Sequence, residues 1–158
     1  MRIIALLRNP TERAISHYFH ETRRGRETAA ILEALRDEER KLERVIVRRD
    51  YKSPAFRHYS YKLRGLYGNQ IERYLRYFPR NRRLILCSEQ YFEDPLTSLR
   101  RVFEFVEVDS AFIPRDLKPR NVATNRSNVD TDVYEYLNSY FRPHNRALYD
   151  LIGESFGW

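Results

Sequence analysis

RIIALLRNPTERAISHY, residues 2–18, is the stretch that decides the fold class. It begins with apolar, partly β-branched residues enclosed by two arginines, which predicts a short buried strand over residues 2–8. Asn9 ends that strand. Pro10 suits the first turn of a helix, because its missing N–H would have no helical partner there. Helical spacing of apolar residues then continues over residues 11–24.

A second apolar stretch, RLILCS at residues 83–88, predicts a second buried strand. Further helical patterns cover residues 27–49, 59–78, 95–106 and 131–152. In the first of these, the charged residues between the apolar positions predict a solvated face. Ser53-Pro54, between the first two patterns, predicts a loop. We expect the last helix to be interrupted at Pro143 and a long ordered loop to cover residues 108–130. Buried strands separated by helices predict an α/β protein with a parallel sheet.

The composition is that of one globular domain over residues 1–158. A hydrophobic share of 42% excludes a disordered chain, although 32% of the residues are charged. No apolar run approaches the roughly 20 residues that span a bilayer, and the run at residues 3–7 is too short for a signal-peptide core. Cys87 is the only cysteine, and its apolar neighbours predict a buried thiol. A cytoplasmic protein without a membrane partner is therefore expected.

The formal net charge of +7 and the dominance of arginine among the basic residues favour a polyanionic partner. Nucleic acid, a phosphorylated nucleotide and an acidic polysaccharide all fit that charge. Nucleic acid is the weaker candidate, because the sequence has no helix-turn-helix, RNP or zinc-binding signature.

Arg8 stands at the predicted carboxyl end of the first strand, where parallel α/β proteins bind ligands. Its guanidinium can grip a phosphate through two hydrogen bonds. Ser16 lies two turns into the following helix and can reach a phosphate that lies along the helix. Two alternatives stay open on spacing alone: Arg8 pairs with a carboxylate such as Glu12, and Ser16 caps the helix or faces solvent.

The segment IALLRNPTERAISHY resembles the 3′-phosphate-binding element of sulfotransferases that use 3′-phosphoadenosine 5′-phosphosulfate (PAPS), written R-x-P-x-x-R-x-x-S-x-Y. The resemblance implies that Arg8 and Ser16 hold the 3′-phosphate of PAPS or of its product PAP. Arg13 and Tyr18 match the motif's second arginine and its aromatic residue. The implied fold is a P-loop-NTPase-like parallel sheet flanked by helices.

Three further segments extend the resemblance over nearly the whole chain: YKLRGLYGNQIERYLRYF, LILCSEQYFEDPLTSLRRVFEFVEV and YFRPHNRALYDLIGESFGW. The last is similar to the closing segment of bacterial and heparan-type sulfotransferases. It implies sulfuryl transfer to a hydroxyl or amine, with a carbohydrate or another small molecule as the acceptor.

The sequence departs from the family in its donor site. No glycine precedes Gly25, and no G-x-x-x-x-G-K-[ST] motif occurs. We therefore expect the chain to be a C-terminal portion of the enzyme that lacks the N-terminal P-loop unit and the catalytic base. Its catalytic residues are unknown, and we expect the chain to be inactive alone. A non-catalytic PAP-binding fragment is the alternative. With two strands exposed at their edges, we also expect marginal stability, or self-association through residues 2–7.

Residues 118–126 occupy the place of the family's basic loop over the nucleotide. Lys118, Arg120 and Arg126 are candidate phosphate contacts, or contacts to an acidic acceptor, and a solvated basic loop is the alternative.

The remaining histidines and acidic residues of interest are expected to have structural roles. His17 and His20 are three residues apart without further ligands, so no metal is expected. His58 is expected in an exposed loop. Glu89 and Asp94 belong to an acidic cluster, in which Asp94 before Pro95 is typical of a helix cap.

Overall fold

A computed structural model describes residues 1–118 and 129–158 of the chain. Its strands are β1 (Ile3–Leu7) and β2 (Arg83–Cys87). Its helices are α1 (Pro10–Arg23), α2 (Ile31–Arg48), α3 (Pro54–Tyr59), α4 (Tyr67–Tyr77), α5 (Ser88–Glu93), α6 (Pro95–Val106) and α7 (Thr131–Ile152). Short 3-10 turns cover Leu63–Gly65 and Arg80–Arg82.

The chain divides into two compact units. We call Met1–Asn9 with Asn69–Asn128 the sheet unit, and Pro10–Gly68 with Val129–Trp158 the helical unit. The single domain expected over residues 1–158 stays a prediction.

The sheet unit contains the parallel pair that the sequence predicts. β1 pairs with β2 in the register Ile3↔Arg83 to Leu7↔Cys87, so both strands end at the same edge. The burial predicted for β1 is wrong, because alternate side chains of this strand face solvent: Ile4 and Leu6 remain 42% and 52% exposed. The Asp94 carboxylate accepts a hydrogen bond from Thr97 N–H at 3.1 Å and caps α6, as predicted.

The helical unit packs α1, α2 and α7 around one core. The apolar stripe predicted for α1 is confirmed, since Ala14, Ile15 and Tyr18 are all buried. One buried core cluster of this unit contains Ala14, Ile15, Tyr18, Ala34, Leu35, Tyr61, Val133, Leu137 and Phe141.

Tertiary packing overrides the predicted interruption of the last helix. α7 runs without a break through Pro143. Phe141 and Leu148, on either side of the proline, are each 1% exposed. Burial of this face offsets the one backbone hydrogen bond that a proline removes.

Two further predictions about helices are wrong. Ser53-Pro54, expected as a loop, begins α3: the Ser53 hydroxyl accepts a hydrogen bond from Phe56 N–H at 3.2 Å. The single helix expected over residues 59–78 is broken by the 3-10 turn Leu63–Gly65. Close packing requires glycine at the end of that turn, because a Cβ at Gly65 would lie 2.8 Å from the Phe141 ring.

Within residues 1–118 and 129–158, the helices are all too short or too polar to cross a membrane.

Candidate functional site

The carboxyl edge of the β1–β2 pair carries the first of the predicted site residues. Arg8 directly follows β1, and Ser88 directly follows β2. Because Leu7 and Cys87 are the last residues of the parallel register, Arg8 and Ser88 leave the sheet at the same edge. This is the edge at which the sequence predicted a ligand site.

A carboxylate connects the two chain segments at this edge. Glu89 Oε1 accepts a hydrogen bond from Asn9 N–H at 2.9 Å. Glu89 Oε2 accepts from the Cys87 thiol at 3.1 Å and from the Ser88 hydroxyl at 3.2 Å. We call Asn9, Cys87, Ser88 and Glu89 the strand-end cluster.

The strand-end cluster holds a negative charge. Burial opposes ionisation of Glu89, but the hydrogen bonds from Asn9 N–H, Cys87 and Ser88 outweigh it, so the pKa of Glu89 lies below its usual range. Burial raises the pKa of the Cys87 thiol, and the Glu89 carboxylate that accepts its proton adds to that shift. The predicted buried thiol is confirmed, with Cys87 2% exposed. A protonated, buried thiol is a structural donor here and not a nucleophile.

Ser16 lies on α1 in the helical unit, where it is half-buried. Its neighbours Ile15 and Tyr18 turn into the core, and the Tyr18 hydroxyl donates to Ala29 C=O at 2.8 Å. The motif's aromatic residue thus has a packing role in this unit. The shared phosphate contact of Arg8 and Ser16 remains a prediction.

The basic loop is described only at its start. Lys118 is exposed in the sheet unit, and its N–H donates to Asp116 Oδ1 at 2.9 Å. Arg120 and Arg126, the other two predicted contacts of this loop, lie outside the described residues.

Three of the four histidines in the helical unit surround a buried carboxylate. Glu21 lies 3.7 Å from both His17 Nε2 and His20 Nε2, and 3.0 Å from His58 Nδ1. His58 belongs to α3 with a side chain only 20% exposed, so the exposed loop position expected for it is wrong. Capping of α3 by Ser53 brings His58 into this contact. Among the described residues, no group of acidic, histidine and cysteine side chains is arranged to hold a metal ion.

His17 is neutral at physiological pH. Burial and the nearby Arg13 guanidinium lower its pKa to about 4, against the opposing effect of Glu21. It therefore adds no positive charge to the motif that contains it.

Sequence reasoning missed the most buried charged residue of α2. Glu38 was expected on a solvated face, yet it is fully buried. Its carboxylate accepts hydrogen bonds from Lys62 N–H at 2.7 Å and Leu63 N–H at 2.9 Å, and so holds the 3-10 turn that begins at Leu63. Burial raises the pKa of Glu38 to about 7 in spite of these two bonds. The missed signal was its spacing, since Glu38 lies between Leu35 and Leu42 on the apolar stripe.

Lys62 is buried beside Glu38 and satisfied by other partners. Its ammonium donates to Tyr136 Oη at 2.9 Å and to Glu39 Oε1 at 3.1 Å, and it lies 4.6 Å from the centre of the Tyr140 ring. These contacts compensate the charge that the core encloses.

Comparison with known proteins agrees with the motif. A family model described as a sulfotransferase domain matches residues 1–132. The heparan sulfate glucosamine 3-O-sulfotransferase 6 of Mus musculus is 26% identical over 99% of this chain and 49% of its own length. The membrane-associated sulfotransferase kil1 of Dictyostelium discoideum is 27% identical over 60% of this chain and 20% of its own length.

Among solved structures, a sulfotransferase from Alicyclobacillus acidocaldarius matches with a TM-score of 0.77 and 32% identity. The match covers 98% of this chain and 56% of that protein. The chain thus spans about half the length of the 3-O-sulfotransferase and of the solved relative.

Proposed function

The chain belongs to the sulfotransferase domain family, and we propose that it forms the part of a PAPS-dependent enzyme that holds the 3′-phosphoadenosine half of the donor. In this proposal the Arg8 guanidinium binds the 3′-phosphate and the Ser16 hydroxyl donates a further hydrogen bond to it. Lys118, Arg120 and Arg126 are proposed as additional contacts to the nucleotide or to an acidic acceptor.

One observation carries the proposal: the family match covers the segment in which Arg8 and Ser16 occupy the phosphate-binding positions of the motif. The placement of Arg8 supports it, because Arg8 directly follows a parallel strand at the carboxyl edge of the sheet. The formal charge of +7 also suits a donor with several anionic groups.

In the complete enzyme we propose sulfuryl transfer to a hydroxyl or amine, with a carbohydrate as the acceptor. The acceptor oxygen or nitrogen forms a bond to the donor's sulfur, the bond from that sulfur to the bridging oxygen breaks, and PAP leaves while the acceptor loses a proton. Basic groups stabilise the charge that develops on the departing phosphate. The carbohydrate acceptor is suggested by relatives whose names specify heparan sulfate glucosamine.

Calorimetric titration with PAP tests the donor site. Arg8→Ala is expected to weaken binding by more than about 1.5 kcal/mol, the lower end for a hydrogen bond to a charged group. Arg8→Lys keeps the charge but loses the bidentate hydrogen bonding, so its affinity for PAP should lie between those of the wild type and Arg8→Ala. Arg24→Ala is the matched control, because Arg24 is an exposed arginine just after α1 and outside the motif.

The controls decide the interpretation. An Arg8→Ala protein that melts like the wild type but keeps its PAP affinity would refute the assignment of Arg8. Tight binding of a single-stranded oligonucleotide without any thermal shift from PAP would favour a nucleic-acid-binding protein instead.

Binding without turnover is a second candidate for this chain, because its sequence contains no G-x-x-x-x-G-K-[ST] motif. A PAPS assay with a glucosamine-containing acceptor separates the two candidates. We expect PAP binding without enzyme-like turnover from residues 1–158. Sustained release of PAP coupled to acceptor sulfation would contradict that expectation.

A further inference from the structure

Beyond the β1–β2 ladder, a hydrogen bond between a backbone N–H and a side chain joins the two strand ends. The ladder of β1 and β2 ends at the pair Leu7↔Cys87. Beyond that pair, Asn9 N–H donates to Glu89 Oε1 at 2.9 Å, across 80 residues of sequence. The Glu89 carboxylate therefore takes the place of a carbonyl acceptor that a longer strand would supply.

The other oxygen of Glu89 is fixed to its own strand end. Glu89 Oε2 accepts from the Cys87 thiol at 3.1 Å and from the Ser88 hydroxyl at 3.2 Å. Cys87 and Ser88 are themselves buried, so they offer the carboxylate little freedom to move. Both oxygens of Glu89 are already hydrogen-bonded within the chain, which suits an anchor better than a proton acceptor for a substrate.

We propose that Glu89 is a positioning residue for the phosphate site, which fixes the peptide unit after Arg8 and thereby the direction in which the Arg8 side chain leaves the sheet. The inference rests on the proposed function of Arg8. It adds to that function a residue that lies outside the R-x-P-x-x-R-x-x-S-x-Y segment and touches the backbone rather than the ligand.

The planarity of the peptide bond links the two residues. The Asn9 N–H lies in one plane with the Arg8 carbonyl and the Arg8 Cα, so holding that N–H restricts rotation about the Arg8 Cα–C bond. A guanidinium that grips phosphate through two hydrogen bonds needs a defined approach. Without the hydrogen bond from Asn9 to Glu89, the Arg8 side chain must be ordered when the ligand binds, and the entropy cost of that ordering weakens affinity.

A double-mutant cycle on PAP affinity tests the proposal. Glu89→Ala removes the acceptor and is expected to raise the Kd for PAP about tenfold. Glu89→Gln keeps a carbonyl oxygen for Asn9 N–H and should restore the Kd to within about twofold of the wild type. In the Arg8→Ala background, Glu89→Ala should add less than about twofold, because its effect passes through Arg8.

A second measurement follows the Asn9 amide itself. Its hydrogen exchange should be slow in the wild type and in Glu89→Gln, and faster in Glu89→Ala at matched global stability. An Asn9 amide that exchanges equally in all three proteins would overturn the proposal, as would equal tenfold effects of Glu89→Ala with and without Arg8. If Arg8→Ala itself leaves PAP affinity unchanged, the proposed donor site fails. If Arg8→Ala weakens binding and Glu89→Ala does not, only the positioning role fails.

Discussion

Two carboxylates, one in each unit, accept hydrogen bonds from backbone N–H groups, yet the pKa is shifted in opposite directions at the two sites. Glu89 in the sheet unit accepts from Asn9 N–H and from two side chains, and its pKa lies below its usual range. Glu38 in the helical unit accepts from two backbone N–H groups, and its pKa rises to about 7. Hydrogen-bond donors stabilise the ionised carboxylate at both sites, so the extent of burial decides whether the pKa is raised or lowered.

Glu38 anchors an element of the fold, whereas Glu89 anchors the edge of the proposed ligand site. Glu38 is fully buried on the apolar stripe of α2, whereas Glu89 is partly exposed at the end of β2. A fully buried carboxylate is costly to ionise and is retained for the turn that it holds. A partly exposed carboxylate stays charged, and its charge-assisted hydrogen bonds stabilise the edge where the ligand is proposed to bind.

The largest expected effect is on stability. Glu38→Ala should lower the free energy of unfolding by about 4 kcal/mol, because it leaves the N–H groups of Lys62 and Leu63 buried without their acceptor and opens a cavity. Glu89→Ala should cost only about 1.5 kcal/mol, since Asn9 and Glu89 are only partly buried and water can replace the lost acceptor. Urea denaturation measures both, with Glu43→Ala as the exposed control on α2. Equal losses at the two sites would remove the distinction between the anchors.

The second prediction concerns pH, with opposite signs at the two sites. The folded pKa of Glu38 is about 7, above its ordinary value of 4.5, so its stabilising contribution is full below pH 4.5 and is lost as the pH rises through about 7. The difference corresponds to on the order of 3 kcal/mol. The folded pKa of Glu89 is lowered, so its contribution is present above pH 4.5 and is lost as the pH falls through the folded value.

Subtracting the unfolding free energy of a glutamine variant from that of the wild type isolates each group. The difference against Glu38→Gln should decline between pH 4.5 and 8, while the difference against Glu89→Gln should decline as the pH falls below about 4.5. Titration of distant groups cancels in each subtraction. A flat profile for Glu38→Gln would show that folding does not raise the pKa of Glu38, because the folded and unfolded states would then bind equal numbers of protons.

Local patterns were sufficient to locate the two strands. The strand predicted over residues 2–8 is observed as Ile3–Leu7, and the one predicted over residues 83–88 as Arg83–Cys87, because short apolar runs between turn residues have few other solutions. Arg8 was placed correctly at a strand end for the same reason. Ser16 was found through its motif, and its role stays untested.

The remaining features depend on contacts between residues distant in sequence. Glu89 reaches Asn9 across 80 positions, and Glu38 reaches Lys62 across 24, so neither bond follows from a local pattern. The break at Leu63–Gly65 likewise reflects Phe141 packing against Gly65. Such contacts decide which charged residues are buried, and that is where sequence reasoning failed.

The smallest expected effect on stability concerns the exposed face of β1, through which the sequence predicted self-association. Ile4 and Leu6 are both more than two-fifths exposed, and apolar side chains on a strand edge favour pairing with a second copy of the chain. Leu6→Lys should lower the dimer fraction measured by sedimentation equilibrium, because a lysine on an edge strand opposes such pairing. It should change the free energy of unfolding by less than about 0.5 kcal/mol, since the side chain is half exposed. Val47→Lys is the matched control, because Val47 is 78% exposed on α2 in the helical unit. A wild-type chain that stays monomeric at every concentration, or an equal loss of association in both variants, would show that β1 is not the interface.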